Sequence, residues 1–381
     1  MRIAIDAHSV GAKLAGNESY AVNLIEALAQ IDRVNEYLIY VTTAEARDRF
    51  HGRWPNFKVH TTLPHTPLIR IPLTLSAELR KYPVDVLHVQ FTAPPFCPCP
   101  VVVSVHDLSF EHLPQTFLRR SRTQLRLTVR RSARRAAAIL TLSEHTRADV
   151  IETYKIDPAK VFAIPLAAPN HFCPIADRKE LQRVRHNYGI DGDYVLSVGS
   201  IQPRKNLVRL IRAYASLHSA HAGTGFPRLV IVGKKGWLYD ETLRALETTG
   251  LKDSILLTGY VPESDLPALY SGALCFVYPS YFEGFGLPPL EAMKCGVPVV
   301  VGNATSLPEV VGDAGLQVDP FDVAAIAGAI DQLICNPDLR KKLSVRGLER
   351  AGMFDWRTTA RQTLKVYEQV AGKSYQSAAA N

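Results

Sequence analysis

Short runs of Val, Ile and Leu recur along the chain, and between them apolar residues return every three or four positions. In the first half the runs fall at 2–7, 37–42, 84–89, 100–105, 138–142 and 161–165. In the second half they fall at 194–198, 228–232, 255–258, 274–278, 297–301 and 315–318. Runs that are apolar throughout suit strands buried on both faces, and strand–helix alternation predicts parallel sheets with right-handed crossovers. The pattern occurs twice. It predicts an α/β chain of two doubly wound, Rossmann-like domains facing a central cleft, at 1–175 and 190–355, with a proline-bearing linker between them. A last helix at about 356–375 is expected to pack back onto the first domain. Ligands of doubly wound sheets bind outside the carboxyl ends of the strands. Functional residues are therefore expected just after strands, in both halves.

Composition narrows the class. The chain has 381 residues, 47% hydrophobic and 21% charged, as in globular proteins. Its first residues read as a strand, not a signal peptide, and no apolar run is long enough to span a bilayer. The six cysteines are scattered and form no metal-binding pattern, so reduced thiols and a cytoplasmic location are expected. The net charge of +8 is concentrated. Arginines 119, 120, 122, 126, 130, 131, 134 and 135 fall between Leu118 and Ala136 with no acid among them. Without these eight the basic count of 44 becomes 36, equal to the acidic count. On a helix, Leu118, Leu125, Val129, Ala133 and Ala136 share a face, with Arg122, Arg126, Arg130 and Arg134 as a row beside it. An ordinary solvated helix and a contact with anionic membrane lipid both fit this element. No aromatics interleave the arginines, so nucleic acid is not an expected partner.

Four loops after strands carry candidate chemistry. In Tyr281–Met293, two carboxylates (Glu283 and Glu291) flank Gly284, Gly286 and the Pro288-Pro289 pair. Glycine permits close backbone approach, proline suits a helix start, and amides there hold phosphate. A pyrophosphate between polyols, as in a sugar nucleotide, fits that layout. After the strand 194–198, Gly199 to Asn206 presents Arg204 and Lys205, cations suited to charge developing on a leaving diphosphate. His106-Asp107 follows a very apolar strand, and His106 is expected to donate to a substrate hydroxyl or carbonyl. Gly11–Ser19 joins the first strand to the first helix; Gly16 allows close approach, and Asn17 or Ser19 is a candidate helix cap. This loop is not the dinucleotide Gly-x-Gly-x-x-Gly, which argues against a nicotinamide enzyme. The one Asp-x-Asp pair, Asp191-Gly192-Asp193, reads as a turn, so metal-independent chemistry with no cofactor is expected.

The second half resembles the donor-binding domain of family 4 glycosyltransferases, retaining enzymes of the GT-B fold. The resemblance rests on Gly199…Pro203-Arg204-Lys205-Asn206, Gly259-Tyr260-Val261-Pro262, Pro279-Ser280-Tyr281-Phe282-Glu283-Gly284-Phe285-Gly286-Leu287-Pro288, Glu291-Ala292-Met293, Cys295-Gly296-Val297-Pro298-Val299 and Leu307-Pro308-Glu309-Val310. His106-Asp107-Leu108 and the glycine loop extend it into the first half. The look is that of the mannosyltransferase-like branch acting on bacterial surface polysaccharides.

The resemblance implies transfer of a hexose from a nucleotide sugar, of GDP-mannose or UDP-glucose type, to a glycan or lipid-linked acceptor at the inner face of the cell membrane. It implies that Glu283 holds hydroxyls of the moving sugar and Glu291 the ribose. Arg204, Lys205 and amides near Phe285, Gly286 and Leu287 hold the diphosphate; Gly16 and Gly199 serve the donor site. Tyr260 and Val261 lie beside the base, and His106 contacts the donor sugar. Where the family commonly has a second glycine in its first loop, this chain has Asn17. A sugar-nucleotide 2-epimerase of the same architecture is the alternative.

Overall fold

A computed structural model describes residues 1–12, 16–221 and 225–379; residues 13–15 of the glycine loop lie outside it. The chain forms two compact units. The first comprises Met1–Pro114, Leu118–Leu166 and the chain from Asp355 onward. The second comprises Ala167–Phe354 together with the short piece Gln115–Phe117.

The first unit is built on a seven-stranded sheet in the order β3-β2-β1-β4-β5-β6-β7. Its strands are β1 Arg2–Asp6, β2 Glu36–Val41, β3 Phe57–Thr61, β4 Val86–Gln90, β5 Val101–Val105, β6 Ala138–Thr141 and β7 Val161–Ala163. Every pairing is parallel. Six of these strands match the apolar runs; β3 does not. It sits at the sheet edge, and Phe-Lys-Val-His-Thr alternates instead of running apolar, because only one face is buried. The helix Trp356–Ala379 packs on the helix Gly16–Ile31 of the same unit. Its Tyr367 is fully buried, and the Thr359 hydroxyl donates to Pro165 O at 2.7 Å.

The second unit holds a six-stranded sheet, β10-β9-β8-β11-β12-β13. Its strands are β8 Tyr194–Val198, β9 Arg228–Val232, β10 Ile255–Gly259, β11 Cys275–Tyr278, β12 Val299–Gly302 and β13 Leu316–Val318, all parallel and all at the expected runs. Its core on one side joins Leu210, Ile211 and Tyr214 of the helix Leu207–Ala220 to Ile326, Ile330 and Leu333 of the helix Val323–Cys335. Asp322 caps the latter by accepting from Ala324 N and Ala325 N.

Both sheets reverse their strand order once: between β1 and β4 in the first, and between β8 and β11 in the second. Chains diverge to opposite sides at such a point, leaving a crevice at the carboxyl ends of the strands.

Candidate active site

The crevice of the second sheet contains a buried ion cluster. After β8, Pro203–Lys205 makes a single 3-10 turn, and Asn206 adopts the left-handed conformation (φ 60°) before the helix Leu207–Ala220. Asn206 Nδ2 donates to Pro279 O at 2.9 Å, tying this loop to the one after β11. Arg204 NH1 then lies 2.7 Å from Glu283 Oε2, and Lys205 Nζ lies 2.6 Å from Oε1. Ser280 Oγ and Tyr278 OH donate to Oε1 at 2.7 and 3.0 Å, and Lys205 also donates to the Tyr278 hydroxyl. Burial by itself raises the Glu283 carboxyl, but Arg204 and Lys205 outweigh it and bring the pKa down to about 2. Glu283 and the two cations, expected to grip different parts of a ligand, are thus one preorganised unit.

The backbone around Glu283 is fixed as firmly. Glu283 N donates to Thr305 Oγ1 at 2.9 Å, and Ser306 Oγ donates to Glu283 O and Phe285 O. Thr305 stands at φ 55°, a conformation that costs a β-branched residue free energy and that clusters at functional sites. Gly199 leaves β8 with its amide bonded to Val232 O, and the turn after β9 passes so close that a Cβ on Gly233 would sit 2.0 Å from Gly199 O. Gly233 is therefore part of the site's frame, although the sequence reading passed over it.

The helix start differs from expectation in one respect. The helix Leu287–Lys294 is capped by Gly286 at φ 114°, so Pro288 and Pro289 are its second and third residues. Neither has an N–H, which removes two of the donors a helix start normally offers. The amides of Phe285, Gly286 and Leu287 remain, without a hydrogen-bond partner among the described residues. Glu291 lies just past the first turn and not within it. Its Oε2 accepts from Tyr270 OH at 2.9 Å, and burial pushes its pKa up to about 7. The two carboxylates are thus held apart by their surroundings. Tyr260 is exposed and Val261 buried directly after β10.

At the carboxyl edge of the first sheet, His106 is buried and its Nδ1 lies 2.9 Å from Asn17 Oδ1. Burial lowers the His106 pKa to about 4, against a smaller opposing effect of Asp107, so the ring is neutral. Gly16 is the first residue of the helix Gly16–Ile31, exposed, with open space around it. Asn17 and Ser19 are accordingly inside the first turn instead of capping it.

The arginine helix runs Arg119–Arg135 and buries Val129, Ser132 and Ala133. Leu118, expected on the buried face, precedes the helix and is exposed. Much of the Arg122, Arg126, Arg130 and Arg134 row leans on its own unit. Arg122 Nε donates to Phe110 O at 3.2 Å, Arg126 Nε to Glu111 Oε2 at 2.6 Å, and Arg134 Nε to Tyr154 O at 3.4 Å. Arg126, Arg130 and Arg134 are nonetheless exposed, as are Arg120, Leu127 and Arg131.

Asp191, in the turn before β8, is 3.7 Å from Arg228. Among the described residues, one group could gather ligands around a metal: His221, Asp331 and Cys335. It lies at the far end of the helix that starts beside Lys205, roughly 20 Å along the axis.

Two family models match the chain: Glycosyltransferase Family 4 over residues 15–168, and Glycosyl transferases group 1 over residues 178–350. The chain is 37% identical over 268 residues to the O-antigen chain mannosyltransferase B of Escherichia coli, covering 70% of each. It is 33% identical over 245 residues to the serotype-specific mannosyltransferase WbdA of Escherichia coli, covering 64% of this chain and 30% of that longer one. Among solved structures it resembles sucrose-phosphate synthase from Thermosynechococcus elongatus, with TM-score 0.78 and 20% identity over 98% and 100% of the two chains. It also resembles Anabaena Alr3699/HepE in complex with UDP and glucose, with TM-score 0.76 and 19% identity over 97% and 100%. At these identities the structural likeness is one of fold.

Proposed function

The chain belongs to the family 4 glycosyltransferases, retaining enzymes of the GT-B fold, and from that membership we propose that it moves a hexose from a nucleoside-diphosphate sugar to a hydroxyl of a glycan or lipid-linked acceptor, without a metal. The observation that carries this reading is the Arg204–Lys205–Glu283 cluster at the strand-order reversal of the second sheet. The named mannosyltransferase relatives, and the UDP and glucose of the Anabaena structure, support a hexose and a nucleotide. Those relatives are transferases and lend no support to an epimerase.

Arg204 and Lys205 meet the diphosphate together with the amides of Phe285, Gly286 and Leu287. These groups are already in place, so charge developing on the leaving group is met without reorganisation. Glu283 keeps the cations aligned and takes hydroxyls of the moving sugar. Glu291 accepts from the ribose hydroxyls, and Tyr260 and Val261 lie beside the base. Retention follows a front-face path. The bond from the anomeric carbon to the diphosphate oxygen breaks, the acceptor oxygen bonds to the same face, and its proton passes to the departing diphosphate.

No helix of the described residues is long and apolar enough to cross a membrane. The outward Arg120, Leu127 and Arg131 support contact with an anionic membrane at its inner face.

A thermal-shift panel of UDP- and GDP-sugars tests the donor: a ligand of the folded form raises the midpoint. A panel in which none does so, or a product NMR assignment showing inversion, overturns the reading.

A further inference from the structure

The connection from β4 to β5 brings two thiols together at the amino edge of the first sheet. Cys97 Sγ and Cys99 Sγ lie 3.5 Å apart, within hydrogen-bond contact for sulfur. Cys99 stands two residues before β5, so the pair is at the end of the sheet opposite His106. Both cysteines are free and half-buried. A cysteine kept for packing is normally fully buried, as Cys275 is in the second unit. Packing alone does not account for two that meet while partly open to solvent.

The sequence prepares this meeting. Four of the seven residues 94–100 are proline, and each locks its own φ. The chain bends at Pro98 and Cys99. The loop is pinned on both sides of the pair. Ala93 N donates to Ser132 Oγ at 2.9 Å, Arg135 NH1 to Pro95 O at 3.3 Å, and Leu87 N to Pro100 O at 3.0 Å. Little chain entropy is left to lose when the sulfurs join.

The two sulfurs are unequal. The Cys99 thiol and its amide donate to Cys97 Sγ and, with the Arg80 guanidinium, hold the Cys97 pKa below its ordinary value against the opposing effect of burial. Cys99 is pushed above the ordinary thiol range, first by donating to Cys97, then by burial and by the charges of Cys97 and Asp85. A thiolate is the nucleophile of disulfide exchange, and here a protonated thiol stands in contact with it.

We propose that Cys97 and Cys99 form a thiol–disulfide exchange site whose substrate is a low-molecular-weight disulfide. The Cys97 thiolate attacks one sulfur of that disulfide. A bond to Cys97 forms, and the other half leaves as a thiolate that takes up a proton. The mixed disulfide carries no charge at Cys97, so the contact that held the Cys99 proton is gone. Cys99 releases that proton and attacks Cys97 Sγ, and the second half leaves as a thiol. The protein pair is oxidised by two electrons, and the small disulfide is reduced to two thiols. The proposal is independent of the transfer reading and is tested without a donor sugar.

Reduced protein is exposed to glutathione disulfide and mapped by peptide mass spectrometry. The peptide holding Cys97 and Cys99 is expected to lose two hydrogen atoms and to carry no adduct. Cys173 and Cys335, exposed single thiols, are expected to accumulate mixed disulfides. Cys99→Ser should trap the adduct on Cys97. Phenylarsine oxide, which condenses with two neighbouring thiols and releases water, reports the pair without oxidation. Cys97→Ser and Cys99→Ser should each bind it about 100-fold more weakly than wild type. Melting checks that each variant folds, and wild type alone carries the exchange test if one does not. Wild type that keeps both thiols while Cys173 and Cys335 react, or that accumulates adducts on the pair, overturns the proposal. Arsenical binding that neither substitution weakens overturns it as well.

Discussion

The two carboxyl edges bury polar groups in different ways. At the second sheet the groups are charged and satisfied: one carboxylate, two cations, a tyrosine and a serine close on one another. At the first sheet a buried ion pair, Asp6 with Arg70, stands at the end of β1, while the groups after β4 and β5 are neutral and partly unsatisfied: His106 is held uncharged, and Gln90 Oε1 and His106 Nε2 have no partner among the described residues. A charge cannot be buried without its partner, so a site for a leaving anion must be assembled before the ligand arrives. Neutral acceptors can wait, because each costs only one lost hydrogen bond.

The contrast can be broken most directly at Glu283. Replacement by Ala leaves Arg204 and Lys205 buried without their acid. The expected result is a fall in transfer of about 1,000-fold or more, and in unfolding free energy of about 3–5 kcal/mol. Assay and calorimetry together check this; a variant that melts like wild type means that the cluster does not hold the loops. Lys205→Met removes one cation and leaves Arg204 and Glu283 as a balanced pair. It should cost about 100- to 1,000-fold in kcat with a smaller change in melting, read by steady-state kinetics.

Acid separates the edges by sign and window. His106, depressed from 6.5 to about 4, contributes stability that is full above pH 6.5 and lost as pH falls toward 4. Glu283, depressed from 4.5 to about 2, contributes stability that is full above pH 4.5 and lost only as pH falls toward 2. Each shift corresponds to about 3 kcal/mol. Calorimetry from pH 7 to 3 should show His106→Asn flattening the upper part of the profile and Glu283→Gln the lower; an exchange of the two windows refutes the assignment.

Glu291 sharpens the picture on a smaller scale. Its pKa near 7 means that nucleotide binding should strengthen severalfold from pH 6 to pH 8 as the carboxylate forms. Glu291→Gln should bind about tenfold more weakly and lose that slope in titration calorimetry. The smallest effect is expected far from either edge. Arg120→Glu with Arg131→Glu should weaken binding to anionic vesicles in a salt-sensitive way, by about 1 kcal/mol per residue, while transfer to a soluble acceptor stays within about twofold. Equal vesicle binding by both proteins removes the membrane contact.

The second unit was legible in the sequence almost throughout. All six strands fall at the predominantly apolar runs, and Glu283, Arg204, Lys205 and Glu291 lie in loops or a helix start whose glycines and prolines announce them. The cluster itself was not legible, because nothing in the order of residues shows that Arg204 and Lys205 fold back onto a carboxylate 78 positions away. The first unit was harder. Edge strand β3 alternates, and Gln90, Ser9 and Asn17 are ordinary polar residues until three loops bring them together. The contact between His106 and Asn17 was out of reach for the same reason, since the partner lies 89 residues earlier. The arginine row was placed correctly beside the buried face, but its partners, Phe110 O, Glu111 and Tyr154 O, come from other elements.

The return of the last helix to the first unit has a consequence for synthesis. A ribosome completes residues 167–354, the body of the second unit, before it makes Tyr367, which meets His88 within the first. The unit that begins the chain is thus the last to be finished. Until the helix from Trp356 arrives, the His88–Ser104–Tyr20 chain lacks its outer member, and one face of the first sheet lacks part of its cover. A chain ended after Phe354 and released should therefore give a protease-resistant second unit and a cleavable first one.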